Sequence, residues 1–330
     1  MTPVTVDICT KDRYADTLPL TLVSVATQTV TPDELFIYDD STNRQDMGSI
    51  EHLRYALELL SSKGIRWQVV WGQQRGQHIG HQFVQEHAAN DLIWRIDDDE
   101  VAEPKTLEVL LENMTPGIGA VAGLVLSPGA PEKFCAPNTI LSTADNCQWY
   151  RWSGTKECEH LYSSYLYRKG IHDFDMFLSP VAHREETLHT FGIFAKGHKL
   201  IVDSRAVTWH FRSSKGGIRT GVQENWWRDE VNFQEVLNEH FGKKICFLDS
   251  GKGDHLVFRD AVLPKLKEKY KEIVLAVCHP ELFPGEKTIS IAEGYQLCNP
   301  SKHNVYEFGG YRKWTRELKY AYAEMYGVQI

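Results

Sequence analysis

Leu92-Ile93-Trp94-Arg95-Ile96-Asp97-Asp98-Asp99-Glu100-Val101-Ala102-Glu103-Pro104 is the stretch on which the fold turns. Its first five residues read as a short buried strand, and Pro104, with its fixed φ, suits the first turn of a following helix. Between them stand four successive acids. Crowded carboxylates repel one another and are costly at a buried strand end unless water or a cation offsets them. Hard divalent ions such as Mg²⁺ and Mn²⁺ take such oxygen ligands. A solvated acidic turn explains the run equally well in isolation, so the neighbouring elements have to decide.

Upstream, strand-like and helix-like periods alternate. Thr5 to Cys9 reads as a strand, Tyr14 to Thr29 as a helix, Glu34 to Tyr38 as a strand, Ser49 to Ser62 as a helix and Ile65 to Trp71 as a strand. A further helix spans about Gly76 to Ala89. This βαβα order predicts an α/β fold, a mostly parallel sheet flanked by helices, in which ligands bind beyond the carboxyl ends of the strands. Two more strand ends carry polar turns, Thr10-Lys11-Asp12-Arg13 and Asp39-Asp40-Ser41-Thr42, so three such turns fall along one sheet edge.

The 330 residues are 42% apolar and 24% charged, which excludes disordered, collagenous and coiled-coil chains. With 36 basic and 44 acidic side chains the net charge is −8, which argues against a chain-wide basic surface for nucleic acid or anionic membrane. Seven cysteines show neither a CxxC pair nor zinc spacing, and therefore predict free thiols and a cytoplasmic address. The opening MTPVTVDICTKDR has no apolar signal-peptide core. The longest apolar-plus-glycine run, Ile118 to Leu126, falls short of the roughly 20 residues a membrane helix needs, so no integral membrane segment is expected.

Four segments in order, VDICTKDR (6–13), FIYDDST (36–42), IWRIDDDEVAEP (93–104) and HREETLHTFGIFAKGHKLIVDSRAVTWH (183–210), resemble a family 2 glycosyltransferase of the GT-A fold, a Rossmann-like sheet. The resemblance covers roughly Val4 to Gly242. It implies a metal-dependent, inverting transfer of a sugar from a nucleotide-sugar donor to an acceptor hydroxyl. On the donor side, Thr10 and Arg13 would flank the nucleotide. The Asp39-Asp40 pair would meet the base, with Asp40 accepting the imide N–H of uracil, which favours a UDP-sugar. In the DxD-like run, Asp97 and Asp98 would lie with the donor, Asp97 near the ribose, and Asp99 would bind Mn²⁺ or Mg²⁺. Asp97 and His210 are the further candidate metal ligands. Such an ion neutralises the diphosphate as the glycosidic bond breaks. In the third helix Gly76 matches the family's glycine, while His81 and Gln82 stand where relatives usually show arginine and asparagine. The acidic pair Glu185-Glu186 would supply the base that takes the acceptor's proton, Glu186 at the matching position and Glu185 if the register slips by one.

Downstream, FRSSKGGIRTG (211–221) places Arg212, Lys215 and Arg219 around paired glycines, a basic loop suited to folding over the diphosphate. Between Pro128 and Pro180 the periodicity dissolves into an aromatic stretch whose Trp149, Trp152, Tyr162 and Tyr165 are candidate acceptor contacts. Trp226 and Trp227 are a candidate sugar-stacking wall, although each of these rings serves equally as core. The sequence does not select the acceptor, for which a glycan, a lipid-linked sugar and a modified nucleic-acid base are candidates. Two rival functions share the pattern. A nucleotidyltransferase would place a glycine-rich basic loop after the first strand, where TKDRYADT has no glycine. A non-catalytic glycan-binding module would not need Asp97, Asp99 and Glu186.

Beyond Gly242, Lys244 to Leu248 and Glu272 to Cys278 read as strands around the helical DSGKGDHLVFRDAVLPKLKEKY, and Lys313 to Tyr326 as a last helix. This part resembles the opening of a GT-B heptosyltransferase-type domain. The expected division is 1–242 for the catalytic sheet and 243–330 for a small α/β appendage serving docking, oligomerisation or acceptor binding.

Overall fold

The computed structural model describes residues 2–140, 146–213, 216–217, 223–297 and 307–309. It divides into two units, Met1–Glu230 and Val231–Ile330, with the division inside a helix upstream of Gly242.

The first unit is built on strands β1 (Val4–Thr10), β2 (Glu34–Asp39), β3 (Arg66–Trp71), β4 (Leu92–Arg95), β5 (Glu100–Ala102), β6 (Ile118–Leu126), β7 (Thr155–Cys158), β8 (Tyr165–Arg168) and β9 (Lys199–His210). Its helices are α1 (Leu18–Ala26), α2 (Glu51–Ser62), α3 (Gln77–His87), α4 (Thr106–Asn113), α5 (Glu185–Ala195) and the start of α6 (Gln223–Phe241). Helix α1 is shorter than its apolar period suggests, because Pro19 sits in its first turn and the residues before Thr17 form turns. The strands lie in the order β3-β2-β1-β4-β8-β6-β9-β5, with β7 also on β9. Across β3, β2, β1 and β4 every pairing is parallel. Beyond β4 the sheet is mixed, since β8 runs antiparallel to both β4 and β6, while β9 is parallel to β6 and antiparallel to β5 and β7.

Strand alternation assigns the faces. Val4, Val6 and Ile8 of β1 and Trp94 of β4 pack with α1, α2 and α4 in one core, whereas Ile93, Tyr165, Tyr167 and Ile193 belong to the opposite one. On that second face β1 and β4 also contribute Asp7 and Arg95, paired in register and both fully buried.

Strand β8 is the element the sequence hides. Tyr165-Leu166-Tyr167-Arg168 alternates for only four residues after a long aperiodic stretch, yet it sits mid-sheet. Tyr165, a candidate acceptor contact, is core instead.

Strands β6 and β9 approach closely at a bulge between Ala122 and Leu124. A Cβ on Gly123 would lie 2.3 Å from the Ala206 carbonyl oxygen, a backbone atom that cannot rotate away. Gly123→Ala is therefore expected to cost about 1–3 kcal/mol of stability, read as a lower urea midpoint with unchanged slope.

In the second unit β10 (Lys243–Leu248), β11 (Glu272–Val277), β12 (Thr288–Ile289) and β13 (Glu307–Gly309) form a parallel sheet in the order β12-β11-β10-β13. The connection from β10 to β11 is helical: α7 (Lys252–Val257), a π turn and α8 (Leu263–Lys269), and α9 (Ile291–Leu297) follows β12. The expected helix Lys313 to Tyr326 lies outside the described residues. Among the described residues no helix is long and apolar enough to cross a membrane.

Candidate active site

The carboxyl ends of β1 and β4 and the last residue of β9 meet at a cavity of about 630 Å³, bordered by Thr10, Arg13, Asp97, Asp99, Glu186 and His210 among others. The short strand β5 makes the meeting possible. By pairing antiparallel with β9 it sets Glu100 opposite His210, and Phe211 N–H donates to the Asp99 carbonyl at 3.0 Å. His210 Nε2 thereby lies 3.3 Å from Asp99 Oδ1. From β1, Arg13 Nη1 reaches Asp98 Oδ1 at 2.6 Å and Asp99 Oδ2 at 2.8 Å, and the Thr10 hydroxyl donates to Asp98 Oδ2 at 2.7 Å.

These neighbours sort the acids electrostatically. Burial opposes ionisation of Asp99, but His210 and Arg13 hold its carboxyl down at about 2. Asp98 is pushed up to about 7 by burial and by the neighbouring Asp99, against the pull of Arg13. Glu100 is raised by burial and by Asp97 to about 8, and accepts a short hydrogen bond from Ser163. His210, despite burial, is held above the usual imidazole range by Asp99 and Glu100. Ligand atoms of Asp97, Asp99 and His210 all fall within 4.8 Å of one another. Two carboxylates with one imidazole form a mixed oxygen–nitrogen set, which suits Mn²⁺ better than Mg²⁺, an ion that favours oxygen ligands. The residues present therefore fit the implied metal.

The acidic pair is set by a strained approach to α5. Ala182 and Arg184 adopt φ of 51° and 71°, a left-handed conformation costly for residues with a Cβ. Asp229 overrides that cost by accepting from Ser179 N–H at 2.6 Å, from the Ser179 hydroxyl at 2.8 Å and from His183 N–H at 2.8 Å. The next two residues then open the helix facing different surroundings. Glu185 is buried against Arg95, with Nη2 to Oε2 at 2.9 Å, and its carboxyl is kept low by that guanidinium against burial. Glu186 borders the cavity, and burial with the neighbouring Glu185 pushes it up to about 7. Of the two, Glu186 borders the cavity and Glu185 does not.

Other candidates are placed elsewhere. Asp39 accepts from the Tyr14 hydroxyl and, at 2.9 Å, from Ser41 N–H. Asp40 accepts from the N–H groups of Gln74 at 2.5 Å and Gly76 at 2.9 Å. Both acids are buried holding the turn after β2, and neither borders the cavity, nor does Gly76. His81 is buried beneath the site, with Nδ1 2.7 Å from Asp7 Oδ2. Of the tryptophans, Trp149 and Trp226 border the cavity, Trp149 edge-on to Tyr162 and Trp226 against His183. Trp152 turns into the second core and donates to the Cys147 carbonyl at 2.8 Å, and Trp227 is 56% exposed away from the cavity. Lys215 and Arg219 lie outside the described residues, but Gly217 N–H donates to the Lys11 carbonyl at 2.8 Å, which lays the paired glycines against the Arg13 turn.

Sequence reasoning passed over Arg95, Lys11 and His183. The signal for Arg95 was present: a charge inside the apolar Leu92–Ile96 strand is rare unless paired.

The sequence profile described as Glycosyl transferase family 2 matches residues 5–169, half of the chain. No curated protein matches in sequence. Among solved structures, GalNAc-T7 with UDP, GalNAc and Mn²⁺ superposes with a TM-score of 0.55 at 13% identity, over 72% of this chain and 48% of that one. Staphylococcus aureus TarS gives 0.51 at 14% identity over 90% and 45%, and its 1–349 fragment in complex with UDP-GlcNAc gives 0.53 at 13% over 72% and 67%. The chain thus spans less than half the length of the first two, and at such identity the likeness is one of fold. With three strand ends and the head of α5 gathered around one cavity on that fold, and the profile match covering β1 through β8, the chain belongs to glycosyl transferase family 2.

Proposed function

We propose that this chain transfers a sugar from a nucleotide-sugar donor, a UDP-sugar, to an acceptor hydroxyl with inversion, in a metal-dependent reaction. The observation that carries the reading is the pairing of two unlike acidic centres on one cavity: Asp97 and Asp99 with His210, and Glu186 with its raised pKa. The UDP and Mn²⁺ named with GalNAc-T7, and the UDP-GlcNAc named with TarS, support the choice of donor and ion.

Asp97, Asp99 and His210 would hold the divalent ion, whose chemistry is charge neutralisation of the leaving diphosphate. Arg13 and Arg212, also on the cavity, add fixed positive charge there. Glu186 takes the acceptor's proton while the acceptor oxygen bonds to the anomeric carbon. The bond from that carbon to the diphosphate oxygen breaks, and its electron pair leaves with the nucleotide. One displacement from the opposite face inverts the configuration. Because the base must be ionised, donor turnover is expected to rise with pH through an acid limb near 7, moving lower when metal binding adds positive charge.

Trp149 and Trp226 are assigned to the acceptor. Trp149→Ala is expected to reduce transfer to an added acceptor roughly tenfold while leaving donor hydrolysis unchanged. The second unit is assigned to acceptor docking or assembly, since every described residue on the cavity belongs to the first.

A thermal-shift panel of nucleotide sugars tests the reading, because a ligand at 100 times its Kd stabilises the fold by about 2.7 kcal/mol. UDP-sugars with Mn²⁺ should raise the midpoint well above other nucleotide sugars and above the same sugars in EDTA. Equal midpoints across the panel would refute it.

A further inference from the structure

Arg95 is fully buried at the carboxyl end of an otherwise apolar strand. Its register neighbours are Asp7 on β1 and Tyr165 on β8. Four contacts engage the guanidinium. Nε and Nη2 reach Glu185 Oε1 and Oε2 at 3.3 and 2.9 Å, a two-point grip on the first residue of α5. Nη1 lies 3.0 Å from Asp97 Oδ1 and donates to the Ser163 carbonyl at 2.6 Å. The grip is braced from behind. Gln77 of α3 donates to Glu185 Oε2 at 2.7 Å, and His81 Nε2 stands 3.8 Å from Oε1 while its Nδ1 meets Asp7.

A buried ion pair is a poor source of stability compared with apolar side chains of the same volume, and the strand around Arg95 is apolar. Stability is therefore a weak reason to place a guanidinium and its carboxylate partners here. What the guanidinium achieves is a fixed link between Asp97, on the donor side of the cavity, and the helix turn that carries Glu186.

We propose that Arg95 is a positioning residue for the transfer, tying Asp97 to Glu185 so that Glu186 is held at a fixed place and in a fixed field relative to the donor. The inference rests on the function proposed above. The charges that act on Glu186 are Glu185 from its own helix and Arg95 and Asp97 from β4, and His160, His183, Arg184 and His210 border the same cavity. Glu185 and Asp97 disfavour the ionised base, and Arg95 favours it.

Opposite substitutions on the pair should therefore move the acid limb of the rate profile in opposite directions. The probe is whichever of UDP-glucose, UDP-galactose, UDP-GlcNAc and UDP-GalNAc the full-length wild-type chain hydrolyses fastest with Mn²⁺. Arg95→Met is expected to raise the limb by about one pH unit, and Glu185→Gln to lower it by a similar amount. The double variant Arg95→Met/Glu185→Leu leaves no unpaired charge from the pair, so it should fold and yet lose at least about tenfold in kcat. Limbs that stay at the wild-type pH in both single variants would overturn the proposal, as would a double variant within about threefold of wild-type kcat. If the single variants fail to fold, the double variant decides. Absence of hydrolysis by the wild type overturns the functional reading and this inference with it, whereas wild-type hydrolysis with unmoved limbs overturns the inference alone.

Discussion

Asp99→Asn is expected to remove Mn²⁺-dependent turnover, by at least about 10²–10³-fold in kcat. Asp99 is the carboxylate on which the strand ends converge, with one oxygen 3.3 Å from His210 Nε2 and the other 2.8 Å from Arg13 Nη1. Held down at about 2, it is ionised at every working pH and so offers a permanent charge to a cation. Asparagine keeps the shape but not the charge. Arg13 still has Asp98 as a partner, so the loss should fall on metal binding more than on the fold. Manganese titration followed by calorimetry or electron paramagnetic resonance should show the affinity collapse, with the unfolding midpoint shifted only modestly. A variant that keeps full Mn²⁺-dependent activity would remove Asp99 from the metal site.

The second large effect is expected at Glu186. Glu186→Gln should lower turnover by about 10²–10⁴-fold, the usual worth of a positioned base, while UDP binding with Mn²⁺ changes little. Its neighbour provides the internal contrast. Glu185 already spends both oxygens on Arg95 and Gln77, so its substitution acts through the frame and the local field. Glu186→Gln also removes the acid limb near pH 7, because no ionising base is left there. Undiminished turnover in Glu186→Gln would move the base elsewhere.

Much of this arrangement is legible in the sequence for a simple reason. In a parallel sheet the carboxyl ends of the strands share one edge, and because β1 pairs directly with β4 the polar turns after them are neighbours although far apart in the chain. That logic brings Thr10 and Arg13 to Asp98 and Asp99. It fails where orientation decides. Asp39 and Asp40 stand at the expected strand end, but their carboxylates fold back onto Tyr14 and onto the N–H groups of Ser41, Gln74 and Gly76. A short acidic side chain in a tight turn finds backbone donors close at hand, and composition does not reveal that choice. His81 is similar, since one ring nitrogen within reach of a buried Asp7 turns it away from any ligand.

The aromatic stretch before α5 was illegible for a different reason. Four residues of alternation are too few to declare a strand, and only the empty slot between β4 and β6 gives Tyr165-Leu166-Tyr167-Arg168 its place. Once β8 is seated, Tyr165 becomes the register neighbour of Arg95, and its ring lies 5.7 Å from the guanidinium carbon. A residue that reads as an acceptor contact thus becomes part of the packing around the buried charge.

One assay separates the transferase from its rival on this fold. The full-length chain is incubated with UDP-sugars, with Mn²⁺ or with EDTA, and released UDP is measured. In parallel, it is given UTP with a sugar 1-phosphate and released pyrophosphate is measured. The site described here predicts UDP release that requires Mn²⁺, with no pyrophosphate. Pyrophosphate from the second mixture, with no nucleoside diphosphate from any nucleotide sugar, would contradict it.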